Sequence, residues 1–426
     1  MSAPPPAPRT TCCIVGGGPA GMMLGLLLAR AGVHVTVLEK HQDFFRDFRV
    51  DTIHPGTLEL LHELGLLHEF LQLPHQQVER LSGILGGRQF AMADFTHLPT
   101  HAKFIALMPQ WDFLNFIARQ AWKYPGFDLR MQHNVTGLIE EDGRVTGVRA
   151  STPTGPVELR ADLVVGCDGR HAVTVPAAHL HVIERGVPID VLWLRISRRP
   201  GDPENALGYF NYGQGLILIN RGDYFQCGYL IRKDSFAAVI QPAGLDAFRA
   251  GIARLVPVLA DRVAEIASWD QVKLLTVQIN HLERWHAPGL LCIGDAAHAM
   301  SPVGGVGINL AIQDAVAAAR ILAPVLLDLS SRAKRASAQP RDLFLSSSDE
   351  TALAHACAAV QQRREFPTRV TQTVQAAVHH FLGGYLGHDE PLTPPLALRI
   401  LTKIPGFQRL TARLVGLGAR PEYWKR

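Results

Sequence analysis

One segment in the C-terminal part of the chain combines a strand, an acidic residue and a glycine-rich loop. Residues 290–293 are typical of a short buried strand, which ends at Gly294 and Asp295. An apolar helix is predicted from about Ile308. The small or rigid residues of the intervening loop are Pro302, Gly304, Gly305 and Gly307. A helix start offers unpaired N–H groups and the positive end of a dipole, so the segment predicts a site for a polar, anionic ligand.

A second segment, near the N-terminus, carries a phosphate-binding pattern. Residues 16–21 read Gly-Gly-Gly-Pro-Ala-Gly and match G-x-G-x-x-G between a predicted strand and an apolar helix. A further strand, 33–38, ends at Glu39, which lies 18 residues after Gly21. An acid about 20 residues after the motif is expected to bind an adenosine ribose. Strand, turn, helix, strand and acid together predict a dinucleotide site, with the pyrophosphate at the helix that starts at Pro19.

A third segment repeats the pattern of a strand that ends in an acid. The buried strand 163–165 leads to Asp168 and Gly169. An Asp-Gly pair alone usually marks a turn. At the tip of a buried strand, in a chain that already carries a dinucleotide motif, the pair favours a role in ligand binding.

Composition indicates a soluble enzyme. The 426 residues are 47% hydrophobic and 19% charged, which favours a large core over disorder, and a net charge of +4 gives no argument for nucleic acid. An apolar run of about 18 residues, long enough to span a membrane, is not expected. The six cysteines are scattered without metal-ligand spacing, so we expect reduced thiols, no metal site and a cytoplasmic protein.

Periodicity divides the chain into predicted regions. Helices are expected at 57–67, 109–122, 245–255, 257–267 and 351–382, and a hairpin at 81–95 turns at Gly86 and Gly87. Residues 187–231 alternate strands and turns in the manner of an antiparallel sheet. The predicted regions are a leader (1–10), a dinucleotide-binding domain (11–74, 102–181 and 274–325), a substrate domain (75–101 and 182–273), a mobile loop (326–350) and a C-terminal helical region (351–426).

The three motifs, in this order, resemble those of the FAD-dependent aromatic hydroxylases, the single-component flavoprotein monooxygenases typified by para-hydroxybenzoate hydroxylase and the ubiquinone-pathway hydroxylases. The resemblance spans residues 10–325. It implies an α/β fold in which a GR2-type, Rossmann-like FAD-binding domain is interleaved with an antiparallel β-sheet substrate domain and followed by a C-terminal helical segment. It also implies one non-covalently bound FAD and NAD(P)H as co-substrate.

The resemblance assigns cofactor contacts residue by residue. Gly16, Gly18 and Gly21, with Pro19 and Ala20, would hold the pyrophosphate, and Glu39 and Lys40 the adenosine ribose. Arg49 would lie near the pyrophosphate, Gln110 on the ribityl chain and Val135 at the adenine. Asp168 and Asp295 would bind the FAD from the two acidic motifs. Gly304 and Gly305 would lie beside the flavin, the backbone of Gly307, Ile308 and Asn309 at its pyrimidine edge, and Pro302 would shape its reacting face. No acid or base catalyst is assigned.

The implied reaction is hydroxylation of a small aromatic, polycyclic or polyketide-like substrate with O2, through a flavin hydroperoxide. Substrate candidates are His54, Tyr209, Tyr212, Gln226 and Tyr229, each equally explicable as a core or surface residue. Because side chains alternate along a strand, Gln226 and Tyr229 cannot both face one pocket. His298, three residues after Asp295, favours a structural role over that of a base.

The chain departs from the family after the Asp-Gly pair, where Ala172 and Val175 stand in place of the usual Ser and Arg. That segment contacts the nicotinamide in the family, so a flavin oxidase, dehydrogenase or halogenase, or a non-catalytic flavin- or drug-binding protein, stays open. A plain NAD-dependent dehydrogenase is disfavoured by the Gly-Asp motif. The tail 396–426 carries seven basic residues and one acid, which fits either a solvated packed helix or contact with an anionic membrane. A monomer or a homodimer is expected.

Overall fold

The computed structural model describes residues 8–45, 52–204, 207–336 and 346–425. Its strands are β1 (Arg9–Val15), β2 (Val35–Leu38), β3 (Thr52–Ile53), β4 (Gln76–Val78), β5 (Arg80–Leu85), β6 (Arg88–Asp94), β7 (Ile105–Leu107), β8 (Phe127–Arg130), β9 (Asn134–Glu141), β10 (Arg144–Thr152), β11 (Gly155–Gly166), β12 (Val182–Arg185), β13 (Ile189–Ser197), β14 (Leu207–Asn211), β15 (Gln214–Asn220), β16 (Tyr224–Arg232), β17 (Lys273–Leu275), β18 (Ile279–Leu282), β19 (His286–Ala287) and β20 (Leu290–Cys292). Its helices are α1 (Pro19–Arg30), α2 (Pro55–Glu63), α3 (Leu67–Phe70), α4 (Gln110–Ala121), α5 (Thr174–Ala177), α6 (Gln241–Ala243), α7 (Leu245–Leu255), α8 (Gly307–Ala336), α9 (Ser347–Tyr385), α10 (Leu396–Leu401) and α11 (Phe407–Gly416).

The first sheet is built on parallel strands whose carboxyl ends lie side by side. Its central order is β19-β20-β11-β1-β2-β8, and β20, β11, β1, β2 and β8 run parallel. The chain moves from β1 through α1 to β2 on one side, while β11 lies on the other side of β1. This arrangement is the strand-order reversal at which ligands bind to open α/β sheets. The α/β class predicted from the sequence is confirmed.

Burial explains why these segments form a parallel sheet with a helix between its strands. Cys12, Cys13 and Ile14 of β1 are fully buried, since both faces of a parallel sheet are covered. The helix α1 is apolar on nearly every side and packs against α4 and α8. One large apolar core therefore joins the strands, α1 and α8.

The second sheet has the order β17-β13-β16-β15-β14-β5-β6 and is antiparallel except between β14 and β5. Residues on alternate positions of its strands, such as Phe225, Cys227 and Ile231, pack under α7. The hairpin β5–β6 turns at Gly86 and Gly87, as expected. It joins the same sheet as the strands from residues 189–232.

Several boundaries expected from the sequence are wrong. The helix expected at 57–67 breaks at Gly65, whose φ of +77° ends α2 and lets α3 start again at Leu67. Residues 257–267 contain two short 3-10 turns, Pro257–Leu259 and Val263–Glu265, and not a helix. The expected loop at 326–350 is helical through Ala336 and again from Ser347. Alanine, leucine, arginine and lysine favour helix there even without apolar periodicity.

One expectation about apolar length is also corrected. The segment Val303–Ser331 is long and apolar enough to cross a membrane by composition alone, and 72% of its most apolar window is buried within the fold. Ile312, Ala315 and Leu322 belong to the main core. This segment, which contains most of α8, is the central core helix of the first domain.

Candidate functional site

The three sequence motifs meet at one edge of the first sheet. In register, Val15 pairs with Leu38 and with Gly166, and Gly166 pairs with Cys292. Each motif begins within three residues of one of these positions. The glycine loop of residues 16–18, Glu39, the Asp-Gly pair and the Gly-Asp pair are therefore brought together by strand register alone. This edge is the predicted ligand crevice.

The glycine loop contains two glycines required by packing and one that faces open space. A Cβ on Gly16 would lie 2.4 Å from the Cys167 carbonyl oxygen, and one on Gly21 would lie 2.0 Å from that of Gly16. A Cβ on Gly18 would meet nothing within 4 Å. Gly18 precedes α1, whose N-terminus has no side-chain cap and no acid in its first turn. The exposed N–H groups and the free space above Gly18 fit a pyrophosphate.

Glu39 is held at the end of β2 by backbone donors. Its carboxylate accepts hydrogen bonds from the N–H of Gly17 (2.9 Å) and of His41 (3.0 Å). An open cleft of about 550 Å³ lies next to it, and its walls include Lys40, Gln132 and Asn134. Val135, the next residue, is buried. The cleft is where Glu39, Lys40 and Val135 would receive the adenosine part of the dinucleotide.

Asp168 has a local structural role in the fold. Its carboxylate accepts hydrogen bonds from the N–H of Val173 (2.7 Å) and Thr174 (3.0 Å) and from the Thr174 hydroxyl (2.8 Å). Burial raises the pKa of this carboxyl, and the bonds from Thr174 and Val173 oppose the rise. The side chain thus holds the turn into α5, and contact between Asp168 and the FAD stays a prediction.

Arg170, which the sequence argument did not select, joins the two acidic motifs. Its Nε lies 3.1 Å from the Asp295 carboxylate, and its Nη2 donates to the Met300 carbonyl at 2.7 Å. The Asp295 side chain keeps about a third of its surface exposed at the crevice. Val175, where the family carries an arginine, is buried in α5. Arg170 therefore places a cation beside the Gly-Asp motif. It lies five positions before Val175, where the family carries its arginine.

A buried charge network fixes the Gly-Asp turn to the helices behind it. Asp314 of α8 accepts hydrogen bonds from the Gly294 N–H (3.1 Å), from His298 Nε2 (2.6 Å) and from Arg364 Nε (2.8 Å). Burial acts to raise the pKa of Asp314, but His298 and Arg364 together lower it. This position is consistent with the structural role predicted for His298.

The glycine loop before α8 is anchored to the first domain. The Thr52 hydroxyl donates to the Gly305 carbonyl (2.8 Å), and a Cβ on Gly305 would lie 2.4 Å from that hydroxyl oxygen. Asn309 is buried and accepts a hydrogen bond from Thr57 (2.9 Å). Pro302 and Gly304 lie in the same short turn, and α8 begins at Gly307. The loop therefore presents the backbone of Gly307 and Ile308 at a fixed helix start.

Gln110 and Arg49 are the two remaining predicted FAD contacts. Gln110 is the first residue of α4 and is buried, and its side chain forms no hydrogen bond within the described part of the chain. Its amide is thus available for a ligand. Arg49 lies outside the described residues.

His54 lies between the glycine loop and the C-terminal region. The side chain is fully buried, and Nδ1 lies 2.9 Å from the carbonyl oxygen of Val415. Nε2 faces the backbone of Gly305 but forms no well-aligned hydrogen bond with any residue that the structure describes. Burial lowers the pKa of His54 to about 4, although the two carbonyls favour the charged ring. His54 is therefore neutral at pH 7, with Nδ1–H donating to Val415.

Replacing His54 by Gln is expected to reduce the loss of unfolding free energy that occurs as the pH falls from about 6.5 to about 4. The unfolded ring binds a proton below about pH 6.5, whereas the folded ring resists protonation down to about pH 4. Stability should thus fall through this window by about 3 kcal/mol, while Gln can still donate to Val415. Urea unfolding at several pH values measures the effect, with exposed His380→Gln as the control. Parallel pH profiles for wild type and His54→Gln would contradict the assignment.

The substrate candidates fall on different parts of the second sheet. Tyr209 and Tyr229 lie on the face covered by α7, where Tyr229 contacts Phe248 edge to face. Tyr212 occupies the β14–β15 turn under the guanidinium of Arg254, 3.9 Å from the ring centre. These three tyrosines thus have packing roles within the second sheet, and their contact with a substrate stays a prediction.

Gln226 lies on the opposite face of the sheet, which we call the inner face. The inner face carries Trp193, Ile217, Ile219, Gln226 and Gly228. It packs toward β7 and toward Ala412 and Leu417, beside α2 and α8.

Two buried N–H donors on the inner face have no hydrogen-bond partner among the residues that the structure describes. Gln226 Oε1 accepts from Arg221 at 2.8 and 3.0 Å, while Gln226 Nε2 is unpaired. Trp193 Nε1 is likewise buried and unpaired. The register places these residues diagonally, about 7–8 Å apart. Trp193 was missed because a tryptophan in an apolar strand gives no signal beyond core packing.

Comparison with known proteins supplies the family. A model described as an FAD binding domain matches residues 9–338. The 6-methylpretetramide 4-monooxygenase of Streptomyces rimosus is 33% identical over 325 residues, which are 74% of this chain and 76% of that protein. The dialkyldecalin synthase of Streptomyces rugosporus is 26% identical over 400 residues, 88% and 80% of the two chains.

A solved structure agrees at the level of the fold. The OxyS anhydrotetracycline hydroxylase from Streptomyces rimosus superposes with a TM-score of 0.69 at 21% identity, over 96% of this chain and 76% of that one. The open space over Gly18 and the uncapped start of α1 independently fit the pyrophosphate of FAD. The chain belongs to the FAD-binding domain family, as an FAD-dependent monooxygenase of the aromatic hydroxylase type that its three motifs had indicated.

Proposed function

We propose that this monooxygenase hydroxylates a polycyclic aromatic compound of polyketide type, using NAD(P)H and O2. The observation that carries the proposal is the 33% identity to 6-methylpretetramide 4-monooxygenase over three quarters of each chain. Bound FAD, once reduced by the nicotinamide, supplies the activation of O2, so that one oxygen atom enters the substrate ring and the other leaves as water. We further propose action in the cytoplasm, as a monomer or a homodimer.

The residues of the crevice would hold the cofactor by backbone and charge. Gly16, Gly18 and the start of α1 would bind the pyrophosphate, with Glu39 at the ribose and Asp295 toward the ribityl chain. The backbone N–H groups of Gly307, Ile308 and Asn309, at the positive end of α8, would stabilise negative charge at the flavin's pyrimidine edge.

The inner face supports a neutral, acceptor-rich substrate. Its Ile217, Ile219 and Trp193 belong to a buried apolar cluster, which would give an adjoining pocket an apolar wall suited to planar rings. The unpaired N–H groups of Trp193 and Gln226 are donors that an oxygen-bearing substrate would satisfy. Fully buried His54 and the Thr52–Gly305 contact fix the neighbouring loop, which would help to keep water from the reacting groups.

The function is tested by flavin reduction followed by oxygen labelling. Purified protein with FAD is mixed anaerobically with NADPH or NADH, with and without 6-methylpretetramide or a related phenolic polycycle, and the visible flavin absorbance is followed. Labelled O2 is then admitted and the product mass is measured. Loss of absorbance and one labelled oxygen in the product are expected.

Failure of both nicotinamides to reduce the flavin, with every substrate, would refute the monooxygenase proposal. This failure would favour a reaction without net oxidation. The similar dialkyldecalin synthase is named for a synthase activity. Reduction without label in the product would instead indicate an oxidase. Either outcome leaves FAD binding itself unaffected.

A further inference from the structure

The C-terminal tail is divided into a packed part and an exposed part. Its end is fixed: Glu422 pairs with Arg363 (2.8 Å) and Arg364 (3.4 Å), and the Trp424 N–H donates to Glu63 at 2.6 Å. Residues 396–413, which contain α10 and most of α11, instead leave large apolar side chains in solvent. The sequence suggested that the tail is either packed on the fold or in contact with a membrane. The end of the tail is packed, whereas residues 396–413 are exposed.

The exposed segment, residues 396–413, concentrates apolar side chains that the fold does not cover. Leu396 is 67% exposed, Ile400 53%, Ile404 48% and Leu410 68%, with Leu401 beside them. Several large apolar side chains exposed within 15 residues of one segment are typical of an interaction site. The short helices α10 and α11, joined by residues 402–406, carry these side chains beside the second sheet, where α11 packs on β6.

The charges of the same segment all have one sign. Arg399, Lys403, Arg409 and Arg413 are exposed, and none of them forms an ion pair with any residue that the structure describes. From residue 391 to 421 the sequence contains no Asp or Glu. Cations interleaved with protruding aliphatic side chains are the composition of an interfacial helix that lies on an anionic bilayer.

A cleft beside the exposed segment is suited to a lipid phosphate. It measures about 280 Å³ and is lined by Lys403, Gly406 and Arg409, with Asp94 and His97 on the opposite wall. The Asp94 carboxylate is already engaged by Arg80 (3.2 Å) and by Thr96 (3.0 Å from its N–H). Lys403 and Arg409 therefore set the charge that the cleft offers to a ligand.

We propose that residues 396–413 dock this enzyme on an anionic membrane surface. Leu396, Ile400, Ile404 and Leu410 enter the interfacial region, while the four cations contact lipid phosphates. Docking places the β6 edge of the second sheet toward the bilayer. An apolar polycycle dissolved in the membrane would then reach the enzyme by lateral diffusion, a consequence that rests on the proposed function, whereas the docking itself does not.

The test is co-sedimentation of the purified full chain, loaded with FAD, with vesicles of phosphatidylglycerol or of phosphatidylcholine. Binding is expected with phosphatidylglycerol, weakening as salt is raised. Each basic residue near an anionic surface contributes about fivefold, so the pair Lys403→Glu and Arg409→Glu should reduce partitioning at least about 25-fold. Ile400→Ser with Leu410→Ser should also reduce it. The matched control is Lys273→Glu with Leu274→Ser, an exposed pair of the same types on β17.

Three results would overturn the proposal. The protein could bind neither kind of vesicle, it could bind both kinds equally, or the control variant could lose as much partitioning as the variants of residues 396–413. A concentration-dependent dimer that the Ile400→Ser and Leu410→Ser variant abolishes would also overturn it, by assigning the surface to a second copy. FAD content and thermal unfolding of each variant are measured alongside, because the exposed positions should leave both unchanged. Failure here leaves flavin reduction by NAD(P)H untouched, so the two proposals are separable.

Discussion

Replacing Gly18 by Ala is expected to leave the protein folded and to weaken FAD binding about a hundredfold. The described part of the fold has room for the added methyl group, since none of its atoms lies within 4 Å of it and the backbone φ of −75° suits alanine. The methyl group would instead occupy the space that the pyrophosphate needs to reach the start of α1. Loss of one or two charge-assisted hydrogen bonds corresponds to about 3 kcal/mol. Fluorescence titration of FAD into the FAD-free variant measures the change.

Two further alanine substitutions separate ligand binding from folding. Gly186→Ala is the matched control: Gly186 also faces open space and has an ordinary φ, and it lies on a loop after β12, so FAD affinity should be unchanged. Gly21→Ala should lower the thermal stability of the FAD-free protein, because its Cβ would lie 2.0 Å from the Gly16 carbonyl oxygen. Wild-type affinity in Gly18→Ala would show that the pyrophosphate does not lie over this loop.

Replacing Asp314 by Asn is expected to destabilise the FAD-free protein by about 3–5 kcal/mol, the usual cost of leaving a buried charge unpaired. An amide can accept from His298 or from Arg364, but its NH2 group then faces another donor. Arg364 is fully buried, and among the described residues it would retain Glu422 as its one charged partner, at 3.4 Å. Chemical denaturation at pH 7 measures the loss. When the Asn oxygen takes the place of Oδ1 and accepts from Arg364, the Gly294 N–H faces the NH2 group in the place of Oδ2, so FAD should dissociate faster.

The pH dependence of the same variant gives an independent check. Because the folded-state pKa of Asp314 lies below its usual value, its stabilisation is present above about pH 4 and is lost as pH falls through the folded pKa. Asp314→Asn should therefore differ most from wild type near neutral pH and converge with it in acid. Glu158→Gln is the control, because its pair with Arg149 is about half exposed and such pairs contribute at most about 1 kcal/mol. A loss no larger than that of the control would contradict the network.

The FAD-binding motifs could be predicted from the sequence because each of them is formed by neighbouring residues. A strand, a glycine loop and a helix start occupy neighbouring positions in the chain, so Gly16 to Gly21 and Gly294 to Asn309 could be recognised without knowledge of distant contacts. Strand register then brought the motifs together, as the doubly wound topology requires. The helix predicted at 257–267 is wrong because its signals are not local. Contacts with residues elsewhere in the fold set the conformation there, and the residues form two separate 3-10 turns.

The substrate side could not be predicted in the same way. Period-two alternation shows that Gln226 and Tyr229 face opposite sides, but it does not show which side meets the first domain. The structure places Tyr229 under α7 and Gln226 on the inner face. Arg170 and Trp193 were missed because their roles depend on partners far along the chain: Asp295 for the first, and the surface formed by residues 412–417 for the second.

The central claim is that the crevice at the ends of β1, β2, β11 and β20 is an FAD site. Titration of the FAD-free full chain with FAD, followed by flavin fluorescence and visible absorbance, tests it most directly. We expect saturable, equimolar binding with a shifted flavin spectrum, and a weaker Kd in Gly18→Ala but not in Gly186→Ala. Absence of saturable binding by folded wild-type protein, or equal Kd values for the two alanine variants, would contradict it.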